Sequence, residues 1–254
     1  MIVEMDGIEV KGMTTTSFVE LVKTKSDKVV ELKIIRDGKE MVFSIKRDFI
    51  ILKSVTSKII EKNNQKIGYM YINVFATNTD VQFAEVLKNL EKQGMNSLII
   101  DVRGNTGGHL KAVENVLSEF LNKKSVVYQI EEKGKATKYY SKGSTTKKYD
   151  IIILGDGGSA SASEILIAGL MDSYGAKFVG IKTFGKGTVQ EVLTTSTDLQ
   201  YKLTTKKWLT PKGVWIHGEG IKPDYEVILD SSYYENPSDE TDNQLQKAIE
   251  LLIK

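Results

Sequence analysis

Three serines in the run Gly157-Gly158-Ser159-Ala160-Ser161-Ala162-Ser163-Glu164-Ile165, and the lysine of Phe184-Gly185-Lys186-Gly187-Thr188-Val189-Gln190, are the residues best equipped for chemistry. A serine hydroxyl is a poor nucleophile until a neighbouring base takes its proton. A lysine amine can be that base once its surroundings disfavour the charged form. Phe184 and Val189 are expected to desolvate Lys186 in that way. The chain has two histidines and no cysteine, so a Ser-Lys pair is the nucleophilic arrangement it can best supply. A small-residue turn ahead of an apolar run also predicts a strand–turn–helix unit, whose helix N-terminus presents free backbone N–H groups to negative charge. Such donors stabilise the oxyanion of a tetrahedral intermediate, worth about 3–4 kcal/mol for one donor. Residue chemistry alone does not choose among Ser159, Ser161 and Ser163, each of which would serve equally as a turn or capping residue.

The elements that must position these groups are legible as patterns. Ser97–Val102 is nearly continuous apolar, as in a strand buried on both faces. The Gly-rich turn Arg103–Gly108 follows it, then a helix carrying Val113, Val116, Leu117 and Phe120. The same order recurs as Tyr149–Leu154, the serine turn and a helix over Glu164–Met171, and such repetition predicts an α/β core. Asp80–Gln93 places Phe83, Val86, Leu87 and Leu90 on one helical face. Lys58–Glu61 and Ile67–Ile72 read as a hairpin around Asn63-Asn64. Residues 1–47 form a separate α+β unit. It has strands at Met1–Met5 and Ile8–Val10, a helix capped within Thr14-Thr15-Thr16 and carrying Phe18, Leu21 and Val22, and strands Val29–Ile35 and Met41–Ile45 about Asp37-Gly38. Residues 48–254 form the second domain, reached through a connector over Arg47–Lys53. Within it Lys133–Lys148 is expected to be a solvated hairpin or loop, and Glu226–Asn243 an exposed link to a final helix, Asn243–Lys254.

Bulk properties narrow the class. With 254 residues, 41% hydrophobic and 27% charged, the chain has the composition of an ordinary globular protein. A net charge of +2 makes no electrostatic case for nucleic acid or a membrane surface. Zero cysteines exclude disulfides and thiolate sites, and His109 and His217 are too isolated for a metal site. No segment reaches membrane-spanning length, and Met1–Asp6 lacks the regions of a signal peptide. Gly180–Gly187 nearly completes a phosphate-binding loop but has Gly187 where Ser or Thr must hold magnesium. A Ser-Asp-His hydrolase is disfavoured because Gly157-x-Ser159-x-Ser161 lacks the closing glycine of a nucleophile elbow.

These motifs together resemble the C-terminal processing peptidases, the tail-specific serine peptidases of family S41. Ser159–Glu164 resembles the family's S/T-A-S-A-S-E, Phe184–Gln190 its F-G-K-G-x-V-Q, and Asp101–Gly108 its D-L-R-x-N-x-G-G. Leu209-Thr210-Pro211 and Gly220-Ile221-Lys222-Pro223-Asp224 resemble segments that follow the family's lysine, so the similarity runs from about Val3 to Lys254. Gly104 departs from the acidic residue common at its position. The resemblance implies Ser161 as nucleophile, Lys186 as base, Gln190 as the residue holding Lys186, and Gly107 and Ala162 as the oxyanion-hole donors. It implies a crotonase/ClpP-like α/β core, no metal and no organic cofactor.

Residues 1–47 resemble the later part of a PDZ domain, whose earlier strands and carboxylate-binding loop would lie upstream of Met1. The implied activity is endopeptidase cleavage of protein or peptide substrates recognised at their C-termini, in the cell envelope or outside the cell for a full-length parent. Self-association through an exposed sheet edge is compatible with that reading. The alternative from another class is a non-cleaving peptide-binding protein on the same fold; an acyl-CoA enzyme on the related crotonase fold is disfavoured by the Ser-Lys motifs.

Overall fold

At Asp37-Gly38 and Asn63-Asn64 both central residues take positive φ, 53° and 73° in the first and 49° and 59° in the second. That backbone matches the right-handed twist of the flanking strands, and Asn, Asp and Gly are the residues that adopt it at least cost. The computed structural model describes residues 1–24, 29–48, 53–144, 147, 149–194 and 199–253. It divides into two compact units, Met1–Leu52 and Lys53–Lys254. The division thus falls beyond the boundary expected at 47, and residues 49–52 of the expected connector lie outside the described residues.

The first unit contains β1 (Ile2–Met5), β2 (Ile8–Glu9), α1 (Thr15–Thr24), β3 (Val29–Arg36) and β4 (Lys39–Lys46). Its strands form one antiparallel sheet in the order β2-β1-β3-β4. The Thr14 hydroxyl accepts the Ser17 N–H at 3.1 Å and so caps α1. Phe18, Leu21 and Val22 then pack against a small core of Met5, Val10 and Val30.

The second unit runs through β5 (Val55–Lys62), β6 (Gln65–Ile72), α2 (Thr79–Lys92), β7 (Ser97–Asp101), α3 (Leu110–Ser118), β8 (Val126–Glu132), β9 (Lys135–Tyr140) and β10 (Asp150–Gly155). It continues with α4 (Ala162–Ser173), β11 (Lys177–Gly180), β12 (Thr188–Thr194), β13 (Gln200–Leu209), β14 (Tyr225–Glu226), α5 (Ser231–Glu235) and α6 (Asn243–Leu252). A six-stranded sheet has the order β14-β11-β10-β7-β6-β5. Its pairs are parallel from β14 to β6, and β5 closes the edge antiparallel.

The period-2 alternation of strands sorts residues to two faces. Leu98, Ile100, Ile151 and Ile153 join the main core with residues of α2, α3 and α4. Ile99, Ile152 and Leu154 join a second core under α6, with Leu245, Ala248, Ile249 and Leu252. Helices on both faces are why β7 and β10 read as unbroken apolar runs. Because β7 and β10 are parallel neighbours, with Leu154 opposite Asp101, the Gly-rich turn and the serine turn leave the sheet side by side at its carboxyl end. A second, antiparallel sheet, β12-β13-β8-β9, carries the chain onward from Lys186.

One expectation about how the elements of this unit are arranged fails. The segment Glu226–Asn243 is not simply an exposed link. It starts in β14, contains α5, and ends at Asp242, which is 3% exposed and accepts the Leu245 N–H to cap α6. An acidic, serine-rich composition hides a buried carboxylate whenever a distant cation pairs with it, here Arg103.

Candidate active site

The serine turn sorts its three hydroxyls by what each touches. Ser159 and Ser163 are fully buried. The Ser159 hydroxyl donates to Val102 O at 2.8 Å, and that of Ser163 donates to Asn105 O at 2.8 Å, so both stitch the serine turn to the neighbouring Gly-rich turn. Ser161 is half-buried and borders a cavity of about 250 Å³. Its backbone takes φ 56° and ψ −113°, a conformation natural for glycine and strained for serine. Holding a non-glycine residue there costs about 1–3 kcal/mol, and such outliers concentrate at functional sites. Immediately afterwards α4 begins, so the Ala162 N–H belongs to the first helical turn, whose N–H groups have no intrahelical acceptor.

Lys186 reaches the same place from the other side. It is half-buried and lines the cavity with Ser161, Gln190 and the apolar side chains of Tyr128, Ile165 and Trp208. Phe184 is 63% exposed and does not form part of that lining. The expected desolvation by Phe184 is therefore incorrect. The apolar wall comes instead from β8, β13 and α4, together with Val189 of β12, the other residue expected to desolvate Lys186. Tyr128 in that wall donates its hydroxyl to Glu114 Oε1 at 2.5 Å. Burial, then the Glu114 hydrogen bond and charge, push its phenol well above the ordinary tyrosine range. Gln190 is exposed at the start of β12, directly after a register shift between Val189 and Gln190, a bulge that re-aims the side chain.

Glu164 links the two segments. It is fully buried, and Oε1 accepts the Thr183 hydroxyl at 2.7 Å and the Gly185 N–H at 2.6 Å. Oε2 accepts the N–H groups of Ser161 and Lys186, both at 2.9 Å. One oxygen atom thus joins the backbones of the two residues with the best nucleophile and base chemistry. The sequence signal for this was a Ser followed three residues later by Glu, the capping-box pattern. That pattern accounts for the bond to Ser161 but not for those to the lysine loop.

The Gly-rich turn presses against the serine turn at Gly107. A Cβ there would lie 2.8 Å from Ala160 O, 2.9 Å from Ser161 Cβ and 3.0 Å from Ala162 N, and φ is 104°. Only glycine allows this approach. The Gly107 N–H donates to Asn105 Oδ1 at 2.9 Å, so its service to an oxyanion requires that bond to be shared or exchanged. Gly104 donates its N–H to Asp156 Oδ1 at 2.9 Å, which anchors the turn without an acidic side chain at that position.

Beneath both turns lies a network that sequence reasoning missed. Arg103 donates to Asp101, to Asp242 and to Gln244 Oε1, and Tyr69 donates to Asp101 Oδ2 at 2.7 Å. Tyr69 comes from β6 and Asp242 and Gln244 from the start of α6, so apart from Asp101, two residues away, no local spacing could reveal them. His217 is exposed and stacks on Trp215, and His109 precedes α3; neither reaches the cavity lining.

A family model described as "Peptidase family S41" matches residues 66–227, a span that contains all five site residues expected from sequence. The chain belongs to peptidase family S41. It is 39% identical to the carboxy-terminal processing protease CtpB of Bacillus subtilis (strain 168), over 87% of this chain and 47% of that protein. It is 32% identical to the carboxyl-terminal-processing protease of Picosynechococcus sp. (strain ATCC 27264 / PCC 7002 / PR-6), over 100% of this chain and 62% of that one. The chain therefore spans less than two thirds of the length of both relatives. Among solved structures it is similar to the photosystem II D1 C-terminal processing protease. The TM-score is 0.66 with 28% identity, covering 89% of this chain and 62% of that one. The S41 fold is thus a mixed α/β fold in this chain. Among the described residues no helix is long and apolar enough to cross a membrane.

Proposed function

We propose that this chain is a serine endopeptidase that cuts protein substrates near their C-termini, with Ser161 as nucleophile and Lys186 as general base. One observation carries the reading. The N–H groups of Ser161 and Lys186 share Glu164 Oε2, while both residues line one cavity. Neutral Lys186 takes the Ser161 hydroxyl proton as Oγ attacks the scissile carbonyl carbon, and the resulting ammonium returns that proton to the leaving amine nitrogen. Water, deprotonated by the same amine, then releases the acyl group from Ser161. Gln190 holds the lysine through its side-chain amide. The N–H groups of Ala162 and Gly107 receive the oxyanion, the latter leaving Asn105 as charge develops.

Similarity to carboxy-terminal processing proteases favours substrates engaged at the C-terminus. The alternating βα units favour a crotonase/ClpP-like core. The antiparallel sheet of Met1–Leu52, with α1 packed on it, favours a PDZ-like unit that captures peptides by strand addition. Self-association through its edge strand β4, and a cell-envelope or extracellular site for the parent protein, complete the reading. A specific observation favours the non-cleaving alternative: the Gly107 N–H is engaged by Asn105. Casein and a fluorogenic peptide with a free C-terminal carboxylate separate the two. Cleavage that vanishes in Ser161→Ala and in Lys186→Arg, whose guanidinium stays protonated, is the expected result. Binding of the peptide without cleavage by the unaltered chain would establish the alternative instead.

A further inference from the structure

The loop that carries Lys186 has glycine on both sides. Glycine populates a wide range of φ and ψ, so nothing within Gly185-Lys186-Gly187 itself fixes the direction in which the lysine side chain leaves the backbone. That direction has to be imposed from outside. Glu164 holds the N–H groups of Gly185 and Lys186, and the Gly218 N–H donates to Gly185 O at 2.9 Å. The next two carbonyls go to the two tryptophans of the sequence. Trp208 Nε1 donates to Lys186 O at 2.5 Å, and Trp215 Nε1 donates to Gly187 O at 2.8 Å.

Each indole is itself held. Trp208 is 3% exposed in the cavity wall, and its main-chain N–H donates to Gly187 O at 3.2 Å. Trp215 is 42% exposed, but its ring stacks on His217 at 5.5 Å and has the Lys207 ammonium 4.5 Å from its centroid. A Cβ at Gly187 would sit 2.7 Å from the backbone His217 N, which leaves no room for a side chain, and 3.1 Å from Trp215 Nε1. An indole N–H donates and cannot accept, and its ring is rigid, which makes it a directional anchor for a carbonyl.

We propose that Trp208 and Trp215 are a pair of positioning residues. By fixing the carbonyls of Lys186 and Gly187 they set the peptide planes that follow the lysine, and so aim Lys186 at Ser161. This inference rests on the Ser-Lys reading given above. Trp208 acts on the lysine's own carbonyl from inside the core, so its effect exceeds that of Trp215.

Trp208→Phe and Trp215→Phe keep a ring and remove the N–H. Both are assayed on the fluorogenic peptide across pH, beside Lys186→Arg. Trp208→Phe is expected to lower kcat about tenfold, the size of one lost hydrogen bond, and Trp215→Phe less. KM should stay within about twofold, since substrate binding is not the step affected. The rising limb of the pH–rate profile should also move, which a purely structural role would not cause. If both phenylalanine variants keep the unaltered kcat and profile while Lys186→Arg is inactive, the tryptophan inference is overturned and the Ser-Lys reading stands. An active Lys186→Arg overturns both. Should Trp208→Phe fail to fold, indole hydrogen exchange in the unaltered protein decides. Both indole protons are expected to exchange on the order of 100-fold slower than in free tryptophan, and exchange of the Trp208 proton at the free rate overturns the inference.

Discussion

Replacing Glu164 by glutamine keeps shape and volume but turns one end of an acceptor into a donor. At the Oε2 end the new NH2 would face two backbone N–H groups, those of Ser161 and Lys186, neither of which can rotate away. The amide therefore settles with its NH2 towards Thr183 and Gly185. Thr183 can turn its hydroxyl to accept, although it already accepts the Ile221 N–H at 2.7 Å. Gly185 cannot adjust, and its buried N–H is left against another donor, which costs about 1–3 kcal/mol. The two bonds at the other end survive as neutral ones, with roughly half the strength of charge-assisted bonds. Removing a buried carboxylate recovers part of its desolvation cost, so the net loss should be about 3 kcal/mol.

Urea unfolding at neutral pH measures this as a lowered midpoint with an unchanged slope. Activity should fall further than stability implies, because a misplacement of about 1 Å between reacting groups costs on the order of 100-fold. Peptide cleavage should show that loss in kcat/KM. A Glu164→Gln protein within about 1 kcal/mol of the unaltered chain, with undiminished kcat/KM, would refute the account of how the two loops are joined.

Other outcomes follow from the same geometry. Ser159→Ala and Ser163→Ala should each keep turnover; Ser163→Ala should lose about 1 kcal/mol of stability because Asn105 O retains the Ala160 N–H as a partner, whereas Ser159→Ala should lose more, about 1–3 kcal/mol, because the Asp156 N–H loses the hydroxyl that accepts it at 2.9 Å. A loss of all activity in either variant with the fold intact would contradict the assignment of those hydroxyls. Asp242→Ala leaves the Arg103 guanidinium short of a partner at a site where its side chain is 14% exposed, and should cost about 3–5 kcal/mol by thermal or urea unfolding. Burial first, and then nearby carboxylates, raise the phenols of Tyr69, Tyr128 and Tyr149 above their ordinary value. Their contribution to stability is complete below the unfolded tyrosine value of about 10 and is lost as pH rises towards the folded ones. Unfolding midpoints should therefore fall steeply above about pH 10 and recover in part when Tyr149, which lies outside the cavity, is replaced by Phe.

How much of this was legible in the sequence depends on the range of the interaction that decides each feature. The hairpins at Asp37-Gly38 and Asn63-Asn64, the buried strands β7 and β10, and the helix that follows the serine turn rest on local backbone preference or period-2 burial, and a single stretch of chain carries that information. The pairing of Arg103 with Asp242 brings β7 to the start of α6, and composition pointed the other way, towards a solvated acidic link. Phe184 lies outside the cavity lining although Val189 lies in it, because neighbours in sequence do not determine which side chains of a glycine-rich loop face one cavity. Selection of Ser161 shows the same divide inside one motif. Three serines at alternate positions are chemically equivalent as text. They differ because Val102 O and Asn105 O, contributed by the adjacent turn, take the hydroxyls of Ser159 and Ser163, while the strained backbone at Ser161 turns its residue to the cavity. The flanking serines thus serve the site by being consumed. Their buried bonds join the two turns whose closeness at Gly107 leaves no space for any other residue, and it is that close approach, more than the motif, that makes Ser161 the hydroxyl available to Lys186.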